Sequence, residues 1–133
     1  MAKVKRTNVL LYVGIALAIV FAIFIYQAYR YAMDSPLRID AAAAKAKIQQ
    51  HEYDVILDVR TEAEVALLGY YPGAIRIPSS DIDKVVPMEI PDKHSRILIY
   101  CNSGQRARKA AEKLKGMGYV NVQYIATTYR SLL

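Results

Sequence analysis

The stretch Arg96-Ile97-Leu98-Ile99-Tyr100-Cys101-Asn102-Ser103-Gly104-Gln105-Arg106 decides how this chain folds. Its first half is β-branched and apolar and reads as a buried strand. The strand runs into the only cysteine of the sequence, and a helical pattern begins at once through Ala107, Ala110, Ala111, Leu114 and Met117. A strand, a tight glycine-bearing loop and a helix bring backbone N–H groups and the positive end of a helix to one point. That arrangement favours an anion at the cysteine sulfur, and the thiolate is the nucleophilic form of cysteine. Two readings stand here: an activated nucleophile, or a small core residue, since free cysteine is often buried and inert.

On either side of this stretch, strands alternate with helices. Upstream, Asp40 reads as the N-cap of an alanine-rich helix over Ala41–Gln50, whose small apolar residues suit the outside of a sheet. Tyr53–Arg60 contains the compact run Val55-Ile56-Leu57, typical of a buried strand. Thr61-Glu62-Ala63-Glu64 is a capping-box pattern that starts a short helix over Glu62–Leu68. A turn at Gly69–Gly73 leads to a short strand, Ala74–Ile77, closed by Pro78. Ser79-Ser80-Asp81 caps a brief helix through Val86, with Pro87 to Pro91 irregular. Downstream, Gly116 and Gly118 stop the helix that follows the cysteine, and Tyr119–Ile125 makes a last strand. The alternation points to an α/β domain with a mainly parallel sheet flanked by helices. Ligands of such sheets sit outside the carboxyl ends of the strands. Two of those ends carry polar chemistry here, Asp58-Val59-Arg60 and Cys101 to Arg106.

The other end of the chain is built for a different solvent. Residues 1–8 form a basic flank with Lys3, Lys5 and Arg6, and residues 9–30 are read as a transmembrane helix, apolar throughout from Val9 to Tyr26. About 20 apolar residues suffice to cross the hydrocarbon core, and Tyr12, Tyr26, Tyr29 and Tyr31 suit interfacial positions. A cleaved signal peptide is the competing reading. Against it, the run exceeds the usual apolar region of about 7–15 residues and no small-residue cleavage motif follows. Residues 31–37 are then a short linker. The immediate flanks favour a cytoplasmic N-terminus with the domain outside, although Arg38, Lys45 and Lys47 erase that bias in a wider window. The protein is therefore expected at a membrane, single-pass. Of the formal charge of +6 over 133 residues, the part from residue 35 onward retains +3, from 14 basic and 11 acidic side chains. With no interleaved aromatic and basic patch, no nucleic-acid partner is expected. A single cysteine excludes an internal disulfide framework and a cysteine-based zinc site. His51 and His94 are isolated, so no metal is expected.

Four motifs, in order and at fixed spacing, carry a family resemblance. They are Leu57-Asp58-Val59-Arg60; Gly69-x-x-Pro72-Gly73-Ala74-x-x-Ile77-Pro78; Tyr100-Cys101-x-Ser103-Gly104-x-Arg106; and Gly118-Tyr119-x-Asn121-Val122. The region 38–133 resembles a single-domain rhodanese, a sulfurtransferase module. The resemblance implies the rhodanese-like α/β fold, with Cys101 taking up sulfane sulfur as a persulfide. It also implies that the loop Asn102, Ser103, Gly104, Gln105 and Arg106 surrounds that persulfide. A small sulfur-donor anion such as thiosulfate, and a thiol, cyanide or protein cysteine as acceptor, are the partners it implies. Two half-reactions at one cysteine are covalent, ping-pong catalysis and need no resolving cysteine or cofactor. Arg106 is read either as a receiver of an anionic donor or as a loop brace paired with an acidic residue such as Glu64. Asp58 and Arg60 have two readings, residues that face the active site from a strand's carboxyl end or a supporting structural pair, and the supporting pair is favoured.

Loop length separates this site from phosphatases that resemble Cys-x5-Arg. Here the arginine follows after four residues and the fifth position is Ala107, a loop too tight for a tetrahedral oxyanion. Three departures from the family pattern stand out. Tyr70 replaces the usual histidine of the Gly69 turn. Asn102 stands where arginine is frequent, which removes a cationic rim group and weakens the case for thiosulfate as donor. Ala126-Thr127-Thr128-Tyr129 replaces the usual Gly-Gly and tryptophan-bearing helix, so the final helix is expected to be abbreviated to Tyr129–Leu133 or to pack differently. A second function class stays open on sequence grounds: a non-catalytic rhodanese-like module that binds a partner protein at the membrane.

Overall fold

The computed structural model describes residues 2–133, with side chains from Asn8 onward. Lys3, Lys5 and Arg6 of the expected basic flank fall outside the described side chains. The chain divides into two compact units, residues 1–31 and 32–133. The first unit is helix α1, which runs on to Met33 (Ala2–Met33). Its side chains from Asn8 to Gln27 are exposed, and the segment Asn8–Met33 is long and apolar enough to cross a membrane. A signal sequence passes the same test of length and composition. Residues 31–33, expected in the linker, are helical, and Ala32 is buried in the second unit.

The second unit is a four-stranded, wholly parallel sheet with strands β1 (Val55–Asp58), β2 (Ile75–Arg76), β3 (Arg96–Tyr100) and β4 (Asn121–Tyr124). The spatial order is β2-β1-β3-β4. In register, Asp58 lies beside Tyr100 and Ile99 beside Tyr124. Residues 37–39 add a short parallel bridge to the outer edge of β4, where the Tyr124 N–H donates to Leu37 O and the Ile39 N–H to Tyr124 O. The edge is thus partly paired, which blunts its capacity to template another chain.

Alternation along the strands sends side chains to two cores. Leu57, Val59, Ile97, Ile99, Cys101 and Val122 join Ile82, Val86, Ala107, Ala110, Ala111 and Leu114 on one face. Those partners come from helices α4 (Ile82–Glu89) and α5 (Gln105–Gly116). On the other face Leu98, Tyr100 and Ile125 pack with Ala44 of α2 (Ala41–Gln49) and Leu132 of a closing 3-10 turn, Tyr129–Leu132. The abbreviated final helix is therefore a single 3-10 turn. The i, i+3, i+4, i+7 alanine and leucine stripe of α5 gives it a thin buried face against β3.

Local chemistry explains two departures from the sequence expectations. Asp40 makes no side-chain cap on α2; its carboxylate lies 3.8 Å from Arg38, and its carbonyl accepts the Ala44 N–H. Helix α4 continues through Pro87 to Glu89 instead of ending at Val86. Burial of Ile82, Val86 and Ile90 on one stripe spans the proline, and the Ile90 N–H closes the last turn on Val86 O at 2.7 Å. Tertiary burial here outweighs the hydrogen bond that proline removes.

Candidate active site

Strand order reverses between β1 and β3: the chain leaves β1 toward β2 on one side and β3 toward β4 on the other. The crevice at the carboxyl ends of these two strands is the expected ligand position in an open parallel sheet. Cys101 follows β3 directly and is 1 % exposed. The Gly104 N–H donates to Cys101 Sγ at 3.1 Å. Gly104 holds φ at +93°, and a Cβ there would meet Ala126 Cα at 2.6 Å and Ala126 Cβ at 2.8 Å. Only glycine lets the loop lie this close to the chain after β4 and aim its amide at the sulfur. Asn102, Gln105 and Arg106 are half-buried around the turn, and Ser103 faces solvent.

Glu64 braces the loop from α3 (Glu62–Leu68). Arg106 donates to it through both terminal nitrogens, Nη1 to Oε2 and Nη2 to Oε1, each at 2.7 Å. Asn102 Nδ2 donates to Oε1 at 2.9 Å. The carboxylate also accepts from the Thr61 N–H and hydroxyl, completing the capping box. Arg106 holds the Glu64 carboxyl down at about 2, with the Thr61 hydrogen bonds adding to the effect. Glu64 in turn pushes the Arg106 guanidinium up. Arg106 makes the ion pair with Glu64 that its reading as a loop brace names. Asn102, in the place of a rim cation, is a second strut to the same carboxylate, a role that sequence reasoning missed.

Asp58 and Arg60 form a buried pair on the opposite face of β1 from Val59. Arg60 donates to Asp58 through its backbone N–H, Nε and Nη2, the last at 2.6 Å. The Tyr100 hydroxyl donates to Asp58 Oδ2 at 2.7 Å and accepts the Tyr71 N–H. Arg60 also donates to Gly69 O at 2.6 Å, and its guanidinium carbon lies 5.4 Å from the ring centroid of Tyr100 and 5.4 Å from that of Tyr129. Burial chiefly, with Asp58 adding, pushes the Tyr100 hydroxyl up, so it donates as a neutral phenol. The pair thus ties β1, β3 and the Gly69 turn together beside the residue that precedes Cys101. Sequence reasoning gives Tyr100 and Tyr129 no part in this pair; the cross-strand register Asp58–Tyr100 that joins them is not visible in it. Among the described residues no cluster of side chains suits a metal.

A parallel α/β domain with a lone cysteine in a strand–loop–helix turn at its carboxyl edge defines the class. The family model for the rhodanese-like domain matches residues 40–131, and the chain belongs to that family. It is 37 % identical over 51 residues to thiosulfate sulfurtransferase PspE of Escherichia coli (strain K12), covering 38 % of this chain and 49 % of that one. The match thus spans about half the length of that relative. It is also 37 % identical over 87 residues to the putative sulfurtransferase YtwF of Bacillus subtilis (strain 168), covering 64 % of this chain and 82 % of that one. Among solved structures, the human single-domain sulfurtransferase superposes with a TM-score of 0.63 at 21 % identity, covering 73 % of this chain and 95 % of that one. This last likeness concerns the fold.

Proposed function

We propose that the protein is a membrane-tethered sulfurtransferase that moves sulfane sulfur from a donor such as thiosulfate to a thiophilic acceptor through a Cys101 persulfide. The observation that carries this reading is the Gly104 N–H set 3.1 Å from Cys101 Sγ at the start of α5. An amide and a helix N-terminus directed at one sulfur stabilise a charged species there, and the family's named members supply the reaction class.

In the first half-reaction the Cys101 thiolate attacks the outer sulfur of thiosulfate. The Sγ–S bond forms, the sulfur–sulfur bond of the donor breaks, and sulfite leaves with the electron pair. Charge balances, with thiolate and dianion becoming persulfide anion and sulfite dianion. In the second, an acceptor such as cyanide or a thiolate attacks the outer persulfide sulfur and takes it, and Cys101 leaves as the thiolate. The Glu64–Arg106–Asn102 brace keeps the loop in one shape through both steps. Asp58 and Arg60 support β3 from beneath. The apolar segment of α1 is the tether, crossing the membrane once with the domain outside the cytoplasm.

Mass spectrometry of the full chain incubated with thiosulfate tests the reading. The expected result is a gain of one sulfur, about 32 Da, removed by dithiothreitol and absent from Cys101→Ser. If no sulfane donor yields an adduct, sulfur transfer is wrong, and the reading of a non-catalytic module that binds a protein partner takes its place.

A further inference from the structure

The first turns of α5 carry more positive charge than bracing of the loop uses. Arg106, Lys109 and Lys113 recur at helical spacing and, with Ala110 and Ser79, line a cavity of about 250 Å³. Two of the three cations are paired with carboxylates of the same chain: Arg106 with Glu64, and Lys113 with Asp83 at 3.4 Å on the surface. Lys109 is exposed and, among the described residues, has neither ion pair nor hydrogen bond; the Ser79 hydroxyl has no partner either. Ser79 is nonetheless fixed, because its N–H donates to Val59 O at 3.0 Å, just past the carboxyl end of β1. Ala110, in the cavity wall, belongs to the same buried cluster as Cys101. The cavity therefore lies along α5 from the loop, walled by the element that starts at the cysteine turn.

An ammonium and a hydroxyl without protein partners, beside paired cations, leave a positive recess that recognises an anion. Its size suits the charged end of a small molecule, and no aromatic ring lines it to stack a base. The one cation of the loop, Arg106, is paired with Glu64. We infer that Ser79 and Lys109 form the anion subsite of the transfer reaction, holding the sulfonate or carboxylate end of a substrate whose sulfur meets Cys101. This rests on the sulfur-transfer reading above. The shared chemistry is a small oxyanion, which either the donor or an acidic low-molecular-weight thiol would bring.

The test uses full-length protein in detergent, with Lys109→Gln, Lys109→Glu and Ser79→Ala. One arm measures the rate of persulfide formation against thiosulfate concentration. The other starts from the loaded protein and compares discharge by 2-mercaptoethanesulfonate with discharge by uncharged 2-mercaptoethanol. The expected result for Lys109→Gln is a rise of about tenfold in the half-saturating concentration of one anionic reactant. Lys109→Glu raises it further, and the maximal rate and the uncharged thiol stay unchanged. A change confined to loading assigns the subsite to the donor; one confined to the sulfonate thiol assigns it to the acceptor. If the wild type loads and discharges and no variant alters either anionic arm, the subsite is refuted while sulfur transfer stands. Should the wild type form no persulfide, thiosulfate titration of Cys101→Ser by amide chemical shifts decides the subsite alone. Saturable shifts at Ser79 and Lys109 that Lys109→Glu abolishes uphold it, and flat titrations overturn it.

Discussion

Glu64 lies outside the cysteine loop yet holds two of its side chains, Asn102 and Arg106. It sits at the third helical position of α3, where the capping box fixes its carboxylate on Thr61, and from there it accepts from Asn102 and Arg106. The capping box and the pairing with Arg106 are both legible in the sequence. What is not legible is that one carboxylate does both and recruits Asn102 as well, because residues 38 positions apart meet only through the sheet. Glu64→Gln keeps the shape and removes the charge. We expect it to cost about 1–2 kcal/mol, less than the close geometry suggests because the pair is partly solvated. The pH dependence has a definite sign. Arg106 lowers the Glu64 carboxyl from 4.5 to about 2, so the stabilisation is complete above 4.5 and fades as pH falls from there toward 2. Chemical denaturation of wild type and Glu64→Gln should give curves that are apart at neutral pH and converge in acid. A constant gap across that range would mean that the charge pair is not what stabilises the loop.

At the scale of elements, the turn from β3 into α5 shows why spacing in a sequence can carry so much. The β-branched strand, the lone cysteine, the glycine and the alanine stripe each have one geometry compatible with a parallel sheet, and their order leaves little choice. Short edge elements are less legible. The extent of α4 past Pro87 depends on where Ile90 is buried, and the closing 3-10 turn depends on Tyr129 reaching Arg60 and Leu68 O, which are tertiary facts. Gly104 and Gly73 separate conformation from crowding. Both hold positive φ, +93° and +83°, but a Cβ at Gly104 would collide with Ala126 whereas nothing lies within 4 Å at Gly73. Gly73→Ala should therefore cost about 1 kcal/mol, the left-handed penalty alone. Gly104→Ala should cost about 2–4 kcal/mol, because the nearest blocking atom is backbone and cannot swing away. Denaturation followed by near-ultraviolet circular dichroism of the buried tyrosines measures both. Equal losses at the two sites would show that the chain around Ala126 yields more easily than its packing implies.

For the whole molecule, the tethered transferase proposed above turns on which side of the membrane the domain faces. The flanking charges leave it nearly balanced, and burial of the thiol removes the obvious probe: at 1 % exposure, Cys101 is a poor target for a bulky reagent. The domain supplies a better one. Leu67 on α3 is 84 % exposed and takes no part in the loop brace, so Leu67→Cys in a Cys101→Ser background gives a single reporting thiol on an otherwise intact fold. The apolar run of α1 is longer than a signal-peptide core and is followed by no small-residue cleavage motif. The full-length chain should therefore stay with the membrane after an alkaline wash and keep its unprocessed mass. With the domain outside the cytoplasm, a membrane-impermeant maleimide should label the introduced thiol in intact cells as fully as in permeabilised ones. Labelling only after permeabilisation would place the domain, and its donor and acceptor pools, on the cytoplasmic side. A soluble, shortened chain would show that the apolar segment is a leader, and the tether would then drop out of the function while the cysteine site stayed as it is.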